Sequence, residues 1–467
     1  MSAPAETAFR VADSLRLPPP WEVFGQRVRR FETYFDESHL ETVRGPIELE
    51  GIGLRIFRPR EGKLGIGFQA TSDLSPAGIH GIVGTAEQSA KLSLFPATHV
   101  ELPSHAPRIA QGPEVCSVSL WDRPTEEVQR YVHALLTPYE PLHDVAPSFG
   151  SVKANLIETS IANSDGLRTS YVATTAELEF AVKAFGGSEG RAPGEYWLTR
   201  EFSQLDEAPL AEETLRWAQR ARDVRVARAP PSGVRKVGLP PAFLNEVLPG
   251  AMSVRFNGSG RLQKMTFEEG ARIAADGISI RRDPRTGWAF GSSPVDDEGW
   301  ITEPVPLVER GAAVGLVYDV LHAAAFDRRS NGSAGRTSIF ERVNWYRFTA
   351  RPHPYLGPVS VAVGTDGEDE ELIEGIDDGI WIDQLGWPNP DPMSGSFGGE
   401  IRIAYRVEHG KITGPVRGGT LGGPVFASPG EPSLLANVRA IGSRAVLTGH
   451  LSSPSLVTDG LTIAGSG

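Results

Sequence analysis

The chain has 467 residues with 52 glycines, 37 prolines and one cysteine, and its 46 Lys and Arg against 58 Asp and Glu give a formal charge of −12. That surplus argues against nucleic acid as the main partner, since phosphate binding needs clustered cations, and a single thiol excludes an intrachain disulfide framework and fits a reducing cytoplasm. No run of about 18 apolar residues occurs and the N-terminus lacks an apolar signal core, so neither a membrane span nor secretion is expected.

At roughly 150 residues per domain, two or three domains are expected. Residues 1–20 read as a loose arm with a short helix from Glu6 to Leu15 ahead of three prolines. Val28 to Phe35, His39 to Val43 and Ile47 to Phe57 read as strands, and Lys63 to Thr71 alternates Leu64, Ile66 and Phe68 on one face. Gly65 and Gly67 lie inside that strand pattern with no helix opening after them, which favours close backbone packing over a phosphate loop. An amphipathic helix is expected within Gly81 to Phe95, with Ala86, Ala90, Leu92 and Leu94 buried. A second runs from Thr125 to Leu136, with Thr125 as its cap. Val152 to Ile161 and Leu167 to Thr174 flank the turn Asn163 to Gly166 and read as a hairpin.

Asp206 to Ala227 is the clearest helix, with Leu210, Thr214, Trp217, Ala218 and Ala221 at helical spacing. Its arginines, 216, 220, 222, 225 and 228, read as a solvated face balanced by Glu212, Glu213 and Asp223 rather than as a nucleic-acid surface. The divisions expected are an N-terminal α/β domain over 1–205, a helix and linker over 206–235 and a β-rich domain over 236–467. The fold class is α+β: antiparallel strands with about two helices on one side, then a barrel- or sandwich-like half.

The stretch Arg282 to Gly311 reads as β-rich with demanding turns at Asp283 to Gly287 and Asp296 to Gly299, because Gly supplies positive φ and Asp bonds its own backbone. Asp296, Asp297 and Glu298 would offer oxygen to Ca²⁺ or Mg²⁺. Neighbours on an extended chain point apart, so a hairpin corner with solvated charges is favoured. The acidic run Asp366, Glu368, Asp369, Glu370, Glu371, Glu374, Asp377 and Asp378 has the same two readings, a metal or basic-partner site against a solvated loop, and the loop is favoured. A helix is expected near Leu316 to Ala325, where His322 is a packed or surface residue rather than a ligand. His99 and His105 near Cys116 do not make a thiol–imidazole pair, and neither a G-x-S-x-G elbow nor a P-loop occurs.

The order DP, G, S, DDEG, L, RG, G through the 282–311 stretch resembles the central part of the TldD/TldE (PmbA) family. Gly51 to Phe57, Lys63 to Thr71, Asn163 to Gly166 and the closing stretch Gly442 to Gly467 are similar to further parts of it. The resemblance implies a cytoplasmic zinc metallopeptidase built from two related subunits. The catalytic, TldD-type subunit carries HExxxH and a later cysteine ligand. Here the matching segment is Ala242 to Ala251, with Asn245 where the first His would stand, Gly250 where the second would stand, and Glu246 retained. Asn and Gly are not zinc ligands, Pro249 would break a helix there, and Cys116 lies in the N-terminal half.

The resemblance therefore implies the TldE/PmbA-type subunit, with no catalytic or metal residue of its own. Zinc would sit in a TldD-type partner, and the substrate would be an unfolded peptide. The polar loop Asp327 to Arg336 would face the shared cavity, which makes Arg336 the candidate peptide contact. Two other readings stand beside it. One is a metallopeptidase with a rebuilt site, drawing ligands from Glu246, Asp296 to Glu298 or Asp366 to Asp378. The other is a homodimeric peptide-binding protein without that partner.

Overall fold

A computed structural model describes residues 6–105, 112–186, 192–336, 346–428 and 430–465. The first five residues of the expected N-terminal arm and the last two of the closing stretch lie outside them.

The alternating apolar pattern of the first half folds into one antiparallel sheet. Its strands are β1 (Trp21–Asp36), β2 (His39–Arg60), β3 (Lys63–Thr71), β4 (Leu94–Phe95), β5 (Val145–Asn163), β6 (Arg168–Ala184) and β7 (Gly194–Phe202). They stand in the order β4-β3-β2-β1-β5-β6-β7. The strands expected at His39 to Val43 and Ile47 to Phe57 are one continuous β2, because β1 pairs with it from Trp21 to Asp36 and carries it past Gly45 and Pro46. The turn after β5 closes as expected: the Asn163 side-chain oxygen accepts from Asp165 N (2.9 Å) and Leu167 N (3.1 Å).

Side chains alternate across a sheet, and here the two faces have different covers. Val23, Ile52, Leu54 and Ile56 lie under α1 (Thr7–Ser14) and α2 (Pro76–Leu92). On the same face Phe31, Phe35, Val152, Leu178 and Phe180 lie under α3 (Val118–Asp122), α4 (Pro124–Leu136) and α5 (Leu210–Val226). The segment expected as a loose arm is thus docked, with Ala8, Val11 and Ala12 buried. Gly65 and Gly67 let α2 approach: a Cβ would stand 2.2 Å from the Ala90 carbonyl oxygen and 2.0 Å from that of Ala86. Ala86 and Ala90 are buried as expected, but Leu92 and Leu94 are exposed, because α2 ends at Leu92 and the chain turns away into β4. In α4 the first turn opens on Pro124 and Thr125 caps nothing.

The opposite face, carrying Glu22, Phe24, Arg55 and Phe57, meets the C-terminal half. Phe24 packs with Val295 and Phe348, and Phe57 with Val320 and Leu321. In that half, β8 (Gly233–Leu239) joins Leu456–Ala464, Thr420–Pro424, Ser396–Glu408 and Asp378–Gly386. Asp378–Gly386 pairs with both β8 and Ser396–Glu408, so this sheet closes as a barrel. A second sheet contains β9 (Ile280–Arg282), β10 (Val305–Glu309) and the edge strand β11 (Ala312–Ala313). Between barrel and second sheet lies α6 (Pro241–Met252), in the largest apolar core of the molecule.

Two stretches depart from their sequence readings. Residues 283–304 form no strand, only an isolated bridge between Val295 and Ile301. The acidic run holds a short helix, Asp369–Glu374, where Glu368 and Glu371 form a reciprocal capping box.

Candidate functional site

α6 starts on Pro241, a position where a missing N–H costs nothing. It then runs through Pro249 without breaking, contrary to the sequence expectation. Proline there removes the bond to the Asn245 carbonyl four residues back. Seven buried residues, from Pro241 to Met252, hold the helix against both sheets regardless. The side-chain oxygen of Asn245 accepts the His450 N–H at 3.1 Å. The His450 ring lies edge-on to Phe290, centroids 4.9 Å apart, and its Nε2 is 3.4 Å from a Glu201 carboxylate oxygen. Glu201 comes from the end of β7, so first sheet, α6 and the loop before Leu451–Ser453 converge here. Gly250 faces Pro390, whose Cγ would lie 2.5 Å from a Cβ built on it.

A second cluster forms where the first sheet meets the 283–304 loop. Asp296, Asp297 and Glu298 are all buried, which corrects the reading of a solvated corner. They point to three different places. Asp296 accepts the N–H groups of Glu298 (3.0 Å), Trp300 (2.9 Å) and Ala334 (3.0 Å). Burial nonetheless pushes its carboxyl up to about 7. Asp297 pairs with Arg347 and accepts from the Arg336 N–H at 2.8 Å. Glu298 takes Arg55 at 2.5 Å and the Val320 N–H at 2.8 Å, and burial raises its carboxyl well above the usual range.

Arg55, fully buried, also holds Glu22 at 2.8 Å, and Glu22 holds Arg336 at 2.9 Å. The expected peptide contact is thereby placed inside the protein. The Arg336 guanidinium is fully buried, donates to the Ala350 carbonyl at 2.7 Å and stacks over Phe24, 4.5 Å from its centroid. Burial lowers its pKa to about 10. This cluster is an ion-pair network between two halves. Its three adjacent carboxylates do not share a ligand, and among the described residues no three His, Cys, Asp or Glu side chains are placed to hold a metal.

Near this network α7 (Val320–Ala324) carries His322, whose Nδ1 is 2.7 Å from the Asp319 carboxylate that caps the helix. His322 is a packed residue here, edge-on to Phe95. Of the helix arginines, Arg216 pairs with Glu212 and Arg222 with Asp144, while Arg220 reaches Asp383 and ties α5 to the barrel.

The matches to known proteins follow the same division of the chain. Residues 232–465 match the family model described as PmbA/TldA metallopeptidase C-terminal domain. Residues 119–224 match the corresponding central domain. The chain belongs to the PmbA/TldD metallopeptidase family. It is 26% identical over 253 residues to a metalloprotease TldD homolog of Haemophilus influenzae, covering 51% of this chain and 50% of the relative. It is 24% identical over 312 residues to the metalloprotease PmbA homolog of the same organism, covering 65% and 62%. The chain spans about half the length of several curated relatives it matches. Among solved structures, TldE of Thermococcus kodakarensis superposes with a TM-score of 0.73 at 19% identity over 98% of this chain and 99% of that one. A protein of Thermotoga maritima described as a putative modulator of a DNA gyrase gives 0.77 at 16% identity over 95% and 96%. These likenesses establish the fold.

For a metallopeptidase family the donor set on α6 matters most. Zinc takes imidazole, thiolate or carboxylate. Asn245 offers a neutral amide already bonded to the His450 backbone, and Gly250 offers no side chain and no room for one beside Pro390. Glu246 remains, and His450 with Glu201 adds one imidazole–carboxylate pair. The residues at positions 245 and 250 do not fit a zinc ion. Sequence reasoning missed His450, Glu201, Glu22 and Arg55. A signal existed for the last, a cation inside the apolar run Ile52 to Phe57.

Proposed function

We propose that this chain is a TldE/PmbA-like subunit without catalysis of its own, which pairs with a TldD-type zinc metallopeptidase and helps enclose and bind unfolded peptide. The observation that carries this reading is α6. Its two positions for zinc-binding histidines hold an amide committed to a loop N–H and a glycine pressed against Pro390. The helix is therefore built for packing, and the chain carries no zinc. The metal belongs to the partner. The family membership and the likeness over nearly the whole chain to a protein described as TldE support the same assignment. An extended peptide binds such a β-rich body by pairing its backbone with exposed strand edges, which leaves sequence selectivity low. The site of action is the cytoplasm.

Co-expression with a TldD-type protein tests this, followed by size exclusion with mass and zinc measured on each peak. A stable hetero-complex is expected, with zinc tracking the partner and none on this chain alone. One zinc per chain on the isolated protein, with chelator-sensitive peptide cleavage, would overturn it and direct attention to Glu246, Glu201 and His450. A zinc-free homodimer indifferent to the partner would overturn it in favour of a peptide-binding protein.

A further inference from the structure

A cleft of about 750 Å³ opens beside β11, away from any contact named so far, and is lined by Arg255, Arg261, Arg328 and Arg329. That volume suits a short peptide segment. In a chain of net charge −12, the concentration of cations is local. Only Arg329 has a carboxylate partner among the described residues, Glu101 at 2.8 Å. Arg255 donates to the Met265 and Met393 carbonyls at 3.3 and 2.5 Å, and its buried Nε meets no acceptor among the described residues. Arg261 donates to the Tyr318 hydroxyl at 2.8 Å and lies over Phe326, 4.3 Å from the centroid. Arg328 is exposed, and no ion pair engages it among the described residues.

The guanidinium groups of Arg255 and Arg261 are thus fixed by neutral oxygens and rings and form no ion pair among the described residues, although the Arg255 charge is felt by the Asp391 carboxylate. A surface arginine held in this way keeps donors available for an incoming carboxylate. The cleft lining adds backbone. Val314, Gly315 and Leu316 continue from β11 and line it. Val314 N–H bonds the Leu307 carbonyl at 2.9 Å, whereas the Gly315 and Leu316 N–H groups meet no acceptor among the described residues. Gly315 sits so close to the Pro306 carbonyl that a Cβ would be 2.2 Å from its oxygen, which leaves no room for a side chain there. The exposed Glu268 and Glu269 also line the cleft, outside any ion pair among the described residues.

We infer that this cleft binds an extended peptide through its carboxylate. The carboxylate is held by Arg255, Arg261 and Arg328, and the peptide backbone lies on the Gly315–Leu316 edge. Glu268 and Glu269, which share the lining, turn away a second acidic residue, so one carboxylate is read. This rests on the peptide-binding part of the proposed function and names the chemistry recognised.

Fluorescence anisotropy on the full chain tests it, with labelled flexible peptides in three forms: one Glu with an amidated C-terminus, Gln with a free C-terminus, and Gln with an amidated C-terminus. Binding of the first form identifies a side-chain carboxylate, and of the second a terminal one. Either should exceed the third by roughly tenfold, the value of one charge-assisted contact, and weaken with salt. Arg328→Gln and Arg261→Gln should each weaken it about tenfold, and Glu268→Gln severalfold strengthen binding of a peptide with two Glu. Arg328 touches no carboxylate among the described residues, so that variant should keep the parent's thermal unfolding even where Arg261→Gln does not. Equal binding of all three peptides, no binding of any, or an Arg328→Gln protein with unchanged affinity would overturn the inference. Because the isolated chain is used, failure here leaves complex formation with a TldD-type protein as a separate question.

Discussion

Replacing Arg55 by Met should cost about 3–5 kcal/mol of folding stability, the usual penalty for removing one partner of a buried ion pair. Arg55 is fully buried and bridges Glu22 at 2.8 Å and Glu298 at 2.5 Å. At an effective dielectric constant near 20, a pair ~4 Å apart attracts by about 4 kcal/mol, and Arg55 has two such partners. Methionine fills most of the volume, so cavity formation adds little. The cost comes from the stranded carboxylates. Glu22 keeps Arg336, but among the described residues Glu298 keeps only the Val320 N–H. Burial already raises the Glu298 pKa, and losing Arg55 raises it further. A carboxyl whose folded pKa lies above its unfolded value contributes stability below the unfolded pKa and loses it as pH rises through the folded one. Parent and variant therefore lose this contribution in parallel until pH reaches the parent's folded pKa, which burial already holds well above the usual carboxylate range, and the gap between them should widen only above that point. Guanidinium unfolding followed by tryptophan fluorescence and far-UV circular dichroism measures this. The double variant Arg55→Met with Glu298→Gln should recover at least about 1 kcal/mol relative to the sum of the singles. A single-variant cost below about 1 kcal/mol, or additivity within about 0.5 kcal/mol, would refute the claim that this network couples the halves.

Other outcomes follow from single contacts. Gly67→Ala should destabilise by about 1–3 kcal/mol, since its Cβ would meet the Ala86 carbonyl oxygen at 2.0 Å and push α2 off the sheet; a shifted denaturation midpoint checks it. Asn245→His combined with Gly250→His should fail to create tight zinc binding in a chelator competition, and should lose about 1–3 kcal/mol through the clash with Pro390. Asp296, pushed up to about 7 by burial, contributes stability at pH 4 that declines toward pH 7. The stability advantage of the parent over Asp296→Asn should thus shrink across that window, by at most about 1.4 kcal/mol per pH unit in paired denaturant titrations.

Local chemistry fixed much of this protein by itself. Period-two alternation in Lys63 to Thr71 and Val152 to Thr174 required strands, the spacing of Leu210, Thr214, Trp217 and Ala221 required a helix, and Asn163 to Gly166 required the turn between β5 and β6. These signals depend on neighbours within a few residues, where geometry alone sets which side chains share a face. Asn245 and Gly250 could likewise be read in sequence, because a residue's ligand chemistry does not depend on its fold. The interior of the molecule was decided elsewhere. Asp296, Asp297 and Glu298 look like a solvated corner until Arg347 and Arg55, from distant segments, pair with Asp297 and Glu298 and three backbone N–H groups take up Asp296. Arg336 looks available until Glu22, 314 residues away, claims it. Pro249 looks like a helix end until two sheets close on α6. In each case the free energy comes from partners brought together by the closing of the sheet face on the barrel half, and no local pattern encodes which charge will meet which.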